Sequence, residues 1–431
     1  MSAFTAPRGS NGFQDAVAQV IQANYEHSLF LIVEGRYYRL RTSRVLRASG
    51  RSPGIIAQPM RACVIALDDP WRQRDGGTAR TRLLVQALAD LGNNTSVAYV
   101  SDRSGDEPSI PDVTFRSVTT VPLGERRWTK PLKKYKQQLL PLPTMRGGMI
   151  AALGRHIAEL APDVIVVSQL RAAPYSAFAP TAALWLDQAD VWSLFLRREI
   201  EERSGLARAT AAAQLRYIRA AEIEWTRRAS LISTAGYGDG KYLESIANKP
   251  VEWLPTAVAP LEVPRRAGDE PTAGFLANFA FWPNRDAFEL LCEQWAPALR
   301  ELGWKTIVAG IGSERLSSAS NIEILGQVND LADFYSRVDI ALAPIRLGGG
   351  VKVKIIEALM YGRPVIASSY ALQGFPSDLA DSISTVTDIA PDFSSIIERA
   401  LGSQEPLALA RKYFSPEAWE QKIERMLGVL G

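Results

Sequence analysis

Apolar positions along this chain fall into two patterns: short unbroken runs, and stripes spaced three and four residues apart. RACVIALDD, from Arg61, is a run of the first kind and predicts a strand buried on both faces. ARTRLLVQALADLG then has helical spacing with Gly92 at its end, and TSVAYV predicts the next strand. Further strands are expected at PDVIVVS (162–168), AALWLD (182–187) and ASLISTA (229–235), with helical stretches such as LRYIRAAEIEWTRRAS between them. From Thr256 the segment TAVAPLEVPRRAGDEPTA is rich in proline and small residues and reads as a linker. A second alternation follows: TAGFLAN (strand), NRDAFELLCEQWAPALREL (helix), KTIVAG and NIEILG (strands), LADFYSRV (helix), DIALAPI (strand), VKVKIIEALMYG (helix) and PVIAS (strand). SPEAWEQKIERMLGVL is a final helix.

Strands separated by helices predict parallel, doubly wound sheets, so the fold class is α/β with two Rossmann-like units facing across a cleft. The expected division is an N-terminal extension and linker (1–60), a first Rossmann-like domain (61–256), a second (257–402) and a helical segment (403–431) that packs back toward the first. In the extension, a helix-like stretch (FQDAVAQVIQANY) leads into SLFLIVEGRYYRLRTSRVLRASGRSPG, which ends basic and rich in Ser, Gly and Pro.

Composition narrows the class without naming a function. The 431 residues exceed one ordinary core and suit two domains of about 150–200 residues each. Apolar content of 47% with 22% charged residues describes a globular chain, and a formal charge of +3 argues for no nucleic-acid partner. Cys63 and Cys292 lie far apart and read as small apolar residues, which suits a reducing compartment. No apolar run approaches a membrane span, and MSAFTAPRGSNGFQD lacks the apolar core of a signal peptide. A cytoplasmic protein is expected.

The densest chemistry lies at PIRLGGGVKVKIIEALMYG. Gly348, Gly349 and Gly350 follow a strand and precede a helix expected to start near Val351. Glycines let a backbone approach a ligand closely, and a helix start offers unpaired N–H groups to an anion, so the geometry suits a phosphate. Arg346, Lys352 and Lys354 add positive charge. Glu357 lies six residues beyond Val351, about 9 Å along the axis at about 1.5 Å per residue. A ribose attached to a diphosphate at the helix start lies that far away, and a carboxylate suits its hydroxyls. The alternative is a glycine-rich loop followed by a surface Lys–Glu pair.

This stretch resembles the donor-site helix of retaining GT-B glycosyltransferases, in particular glycosyltransferase family 4 of the bacterial exopolysaccharide type. GFLANFAFWPNRDAFELLCEQWAPALRE and NIEILGQVNDLADFYSRVDIALAP resemble two further blocks of that family's C-terminal domain, in the family's order. The resemblance implies that Glu357 contacts the donor ribose and Gly348–Gly350 the diphosphate or sugar, with Val351 and Lys352 beside them. It also implies that Gln327 and Val328 lie near the base. One departure is specific. Many members carry two glutamates, and the position eight before Glu357 is Gly349. The family's Arg and Lys after the first C-domain strand are also not in register; Asn278, Asn284 and Arg285 occupy that loop, leaving Arg346, Lys352 or Lys354 to supply the charge.

On the first domain, Gly76 and Gly77 sit between a strand and its helix, where a glycine pair approaches donor phosphates in family members. The alternative is a turn ending in a Thr78 helix cap. LWLDQADVWSLFLRRE places Asp187 at a strand's end and Asp190 at a helix start, where Asp190 suits an N-cap. The pattern Asp187, Asp190, Ser193 resembles an acceptor-side section of exopolysaccharide enzymes, and Asp187 is the expected catalytic member, with Lys354 and Glu357 across the cleft. His27 and His156 match no family position, and His156 reads as a structural residue on a helix. RRWTKPLKKYKQQLLPL (126–142) holds six cations: a solvated face, or a patch that docks on the inner face of the membrane or guides a lipid-linked acceptor.

No D-x-D or H-E-x-x-H occurs, and GYGDGKY (236–242) lacks the spacing of a P-loop. The expected function is therefore transfer of a sugar from a nucleotide-diphosphate sugar to a saccharide or lipid-linked glycan in surface-polysaccharide synthesis. Neither a metal nor another cofactor is expected. A degenerate GT-B scaffold and a nucleotide-sugar epimerase are the alternatives.

Overall fold

The computed structural model describes residues 29–33, 36–40, 59–71, 76–101, 110, 112–119, 147–202, 204–266, 270–317, 322–386 and 392–430. The helix expected in FQDAVAQVIQANY, the basic end of the extension and the basic segment 126–142 lie outside them. Within the extension, β1 (Leu29–Val33) and β2 (Arg36–Leu40) pair antiparallel, Leu29 opposite Leu40 and Val33 opposite Arg36.

The first large sheet has seven strands: β3 (Arg61–Ala66), β4 (Asn94–Ser101), β5 (Val113–Thr119), β6 (Val164–Val167), β7 (Ala183–Gln188), β8 (Leu231–Thr234) and β9 (Glu252–Trp253). They run in the order β5-β4-β3-β6-β7-β8-β9, and each neighbouring pair is parallel. α1 (Gly76–Asp90), α2 (Gly147–Leu160), α3 (Trp192–Glu202), α4 (Gly205–Arg228) and α5 (Tyr237–Ala247) connect them. The second sheet orders β12 (Ile322–Gly326), β11 (Lys305–Ala309), β10 (Thr272–Leu276), β13 (Ile340–Ala343), β14 (Val365–Ser368) and β15 (Ser384–Val386), again all parallel. Its helices are α6 (Trp282–Leu290), α7 (Ala296–Glu301), α8 (Leu331–Ser336), α9 (Val353–Met360), α10 (Ser377–Ser382) and α11 (Phe393–Gly402). Two more helices, α12 (Glu405–Phe414) and α13 (Pro416–Gly428), end the chain.

Central strands such as VIVV in β6 and IALA in β13 are buried at every position, because helices cover both faces. The expected strands all form. β1, β2, β5, β9 and β15 were not expected, being short or bordered by segments without clear periodicity. The helix expected across NRDAFELLCEQWAPALREL is one rod interrupted by a π turn, Leu291–Trp295. Pro297 follows in the next turn; it has no N–H to donate, which accounts for the altered bonding there.

The proline-rich segment after Thr256 is anchored rather than loose. Val258 donates its N–H to the Phe414 carbonyl (2.9 Å), Leu261 to Met360 (2.9 Å) and Arg266 to Ser336 (3.0 Å). α13 lies on the first sheet: Trp419, Ile423, Met426 and Leu427 share one core with Val64, Val97, Trp185 and Leu231. Lys422 sits 4.0 Å over the Trp253 ring and donates to the Trp253 carbonyl. Among the described residues, no helix is long and apolar enough to cross a membrane.

Candidate active site

In each sheet the strand order reverses at one crevice, between β3 and β6 in the first and between β10 and β13 in the second. Doubly wound sheets bind ligands at that crevice, outside the carboxyl ends of the strands. The glycine triplet is on the loop leaving β13; Asn278 is on the loop leaving β10 and Asn284 in the first turn of the helix that follows, so both flank the second crevice.

α9 begins at Val353, two residues later than the sequence suggests. Gly348 and Gly350 hold φ of 105° and 65°, a region that disfavours side chains, so the triplet is a bend ahead of the helix. Lys352 fills the N-cap position and turns back: its ammonium donates to the carbonyls of Gly348 (3.4 Å), Gly349 (2.7 Å) and Gly350 (3.2 Å). Tyr370 donates its hydroxyl to the Gly348 carbonyl at 2.7 Å. Lys354 donates to Asn284 Oδ1 at 2.8 Å, across the crevice, and lies 4.9 Å over the Phe275 ring. The surface Lys354–Glu357 pair considered above does not form. Among the described residues, the Glu357 carboxylate makes no side-chain hydrogen bond.

Lys352, Lys354 and Glu357 are each partly reachable, yet crowded by protein on most sides. Desolvation therefore dominates their titration. It pushes Lys354 down to about 7, with Lys352 adding repulsion, and Lys352 down to about 8. The same burial pushes Glu357 up to about 7, against the pull of Lys354. A site whose cations are desolvated when empty gains most from an incoming anion. Arg346 is committed elsewhere, with a two-point ion pair to Asp286 at 2.9 and 3.0 Å. Asn278 holds its own turn through Ala280 N–H (3.0 Å), and Asn284 donates to the Asn278 carbonyl (2.7 Å). Gln327 is exposed and Val328 half-buried beyond β12.

Asp187 departs from its expected role. The carboxylate is wholly buried: Arg80 donates to both oxygens at 2.7 and 2.6 Å, and Ser233 donates at 2.5 Å. Arg80 also reaches Thr256 (3.4 Å), and Trp185 donates to Ser233 (2.8 Å). Asp187 thus ties α1, β7, β8 and the crossover segment together, and no lone pair is turned to the cleft. The Gly76–Gly77 pair opens α1, which places Thr78 inside the first turn rather than at its cap; Thr81 bonds the Gly77 carbonyl (3.1 Å) and Ser168 Oγ (2.8 Å). His156 sits on α2, 3.9 Å from Glu159. Both cysteines are free; Cys63 is buried and Cys292 only partly so.

Sequence reasoning missed Glu222. From α4 it accepts the Ser193 N–H (3.1 Å) and the Ser193 hydroxyl, capping α3 from outside its own segment. Asp190 lies two residues before α3 begins at Trp192. Its Oδ1 stands over the glycine loop, 2.1 Å from where a Cβ at position 350 would lie. Nearby, Asp239 in the first turn of α5 is 4% exposed, with Oδ2 lacking a hydrogen-bond partner. Gln188, at the end of β7, is 2% exposed with both amide atoms unpartnered. A buried polar group left unpaired costs about 1–3 kcal/mol, so this concentration calls for a reason. Burial pushes Glu222 up to about 7 from an ordinary 4.5. A raised carboxyl favours folding fully below its unfolded value and loses that contribution as pH rises through about 7. Glu222→Gln is expected to flatten the fall in stability between pH 5 and pH 8 by on the order of 2 kcal/mol. Denaturant titrations at the two pH values measure it; an unchanged slope refutes the assignment.

A cavity of about 410 Å³ lined by Arg266, Lys305, Glu323 and Arg337 lies at the amino ends of the second sheet's strands, the end where doubly wound sheets do not bind.

Residues 270–401 match the family model described as Glycosyl transferases group 1. The match spans β10 into α11 and contains the whole crevice just described. No curated protein is a significant sequence match. Among solved structures, sucrose-phosphate synthase from Thermosynechococcus elongatus is 15% identical with a TM-score of 0.63, over 86% of this chain and 98% of that one. HepE of Anabaena, in complex with UDP and glucose, is 13% identical with a TM-score of 0.57, over 86% and 99%. WaaG, a glycosyltransferase involved in lipopolysaccharide biosynthesis, is 14% identical with a TM-score of 0.55, over 86% and 100%. The fold is GT-B. In GT-B terms, β10 to β15 form the second Rossmann-like sheet, and the group 1 match falls on it rather than on the first.

Proposed function

We propose that this chain is a retaining glycosyltransferase that moves a sugar from a nucleotide-diphosphate sugar to a saccharide or lipid-linked glycan. The observation that carries this reading is the crevice between β10 and β13. There two desolvated lysines and one unbonded glutamate converge beside a glycine bend, inside the segment matching glycosyl transferases group 1. A diphosphate beside Lys352 and Lys354 restores their charge, and Glu357 accepts hydrogen bonds from the ribose. The bond between the anomeric carbon and the diphosphate oxygen breaks, and the acceptor oxygen bonds that carbon from the same face. The acceptor's proton passes to the departing phosphate oxygen, so no separate base is needed. Charge on the leaving group is met by lysines and backbone amides rather than by a metal.

Asp187 takes no part in that step. The same reading makes the protein a cytoplasmic enzyme of bacterial surface-polysaccharide synthesis, with residues 126–142 as its contact with the inner face of the membrane. HepE was solved with UDP and glucose, which makes a UDP-sugar the first donor to try.

Calorimetry of the full chain with UDP, GDP, dTDP and ADP tests the donor site, and one of the four is expected to bind. Absence of binding to all four would favour a scaffold. Mass spectrometry of a nucleotide-sugar panel with saccharide and lipid-linked acceptors then identifies the product. NMR of its anomeric centre decides retention: an inverted linkage overturns the retaining mechanism alone.

A further inference from the structure

The glycine triplet offers no side chain to a ligand, and what stands over it comes from the other sheet. Asp190, on the loop between β7 and α3, brings Oδ1 to the space above Gly350 that any Cβ would occupy. Glu222, from α4, accepts the Ser193 amide at the start of α3. Asp239, in the first turn of α5 at the same end of the sheet, lies near it. The charges acting on Asp239 are those of Asp190, Arg198 and Lys352, and Lys352 in turn feels both aspartates. Asp239 is also pressed against Gly236, whose Cβ position would be 2.9 Å from Oδ2. That buried oxygen has no partner among the described residues.

Two acids, a buried lysine and Arg198 therefore surround the bend. Opposite charges are balanced there, which suits neither a second phosphate nor a free cation. A carboxylate oxygen with an unused acceptor position in a charge-balanced pocket suits hydroxyl donors. Gln188 adds an unpartnered amide at the end of β7, on the same sheet face as its register partner Thr234, which packs against Gly240 of α5.

We propose that Asp190 and Asp239 bind the hydroxyl groups of the transferred sugar, so that the first domain supplies the acids that the glycine triplet lacks. This rests on the donor site proposed above and adds to it which residues determine sugar preference. Glycine at 350 is then a requirement of the opposing carboxylate as well as of the backbone angle.

The test compares each bare nucleotide with its nucleotide sugar. Calorimetry on the full chain would use UDP against UDP-glucose, UDP-galactose and UDP-N-acetylglucosamine, and GDP against GDP-mannose. Wild type, Asp190→Asn and Asp239→Asn are each titrated, and thermal unfolding checks that each is folded. Both variants are expected to keep bare-nucleotide affinity within about twofold. Their affinity for the sugar-bearing donor, relative to the bare nucleotide, is expected to fall about tenfold or more, and kcat/KM with it. Variants with an unchanged ratio overturn the proposal, and so does an equal loss for nucleotide and nucleotide sugar. If Asp239→Asn is unfolded, Asp190→Asn, which alters an exposed carboxylate, decides alone. A wild type that binds no nucleotide overturns the donor-site reading itself, a result distinct from both.

Discussion

Glu357→Ala is expected to lower kcat/KM for the nucleotide-sugar donor by about 10²–10⁴-fold while leaving the protein folded. The magnitude follows from the loss of two hydrogen bonds from ribose hydroxyls to a charged acceptor, each worth about 1.5–3 kcal/mol in a desolvated site. The lack of damage to the fold follows from the environment. The carboxylate is desolvated, its titration is pushed up to about 7, and it makes no side-chain hydrogen bond among the described residues. A group so placed opposes folding, so its removal is expected to hold or raise the unfolding midpoint, as is common where stability has been given up for activity. Glu357→Gln keeps the shape and one acceptor and is expected to fall between. Steady-state kinetics beside thermal unfolding check the pair of statements. Turnover at the wild-type level in Glu357→Ala removes the ribose assignment, and a midpoint that drops in step with activity makes Glu357 structural.

The opposite pattern is expected at Asp187. Asp187→Ala leaves the Arg80 guanidinium, 1% exposed, without its charge partner and frees the Ser233 hydroxyl. Breaking a buried ion pair by removing one member costs about 3–5 kcal/mol. Against a typical domain stability of about 5–15 kcal/mol, that is a large fraction. Denaturant unfolding followed by fluorescence is expected to show a much lower midpoint, and Trp185, hydrogen-bonded to Ser233, reports on the site directly. Below that midpoint, the folded fraction is expected to bind bare nucleotide as wild type does. A stable Asp187→Ala protein with no turnover would falsify this and restore Asp187 to the chemistry.

These two residues mark the boundary of what could be read from the chain. Glu357 could be proposed from the chain because glycine, lysine and glutamate fall within ten residues, and helix geometry fixes their spacing. Asp187 was correctly located at a strand's end, but its partner Arg80 is 107 positions away, in a helix whose pattern gives no hint of a buried cation. Glu222 sits in a helix that reads as ordinary, and no local signal marks it as the cap of another helix. Asp239 did carry a signal, an acid between glycines at a helix start, inside a segment whose resemblance to a P-loop diverted attention. The Lys354–Glu357 spacing was read correctly, but the direction of the lysine was set by Asn284, 70 positions away.

By itself, the sequence determined the elements and their order. Buried runs can only be strands covered on both faces, spaced stripes can only be helices packed on one, and their alternation leaves a parallel sheet as the arrangement that buries both. The glycine bend, the lysines and Glu357 are consequences of the same local rules. Tertiary structure alone decided which charges meet. A carboxylate's role depends on what lies within a few ångströms of it, and for Asp187, Asp190, Glu222 and Asp239 those neighbours arrive from other loops, other helices or, at the glycine triplet, the other sheet. Burial then turned that geometry into chemistry, fixing Asp187 in an ion pair, while Asp190 stands over the glycine bend.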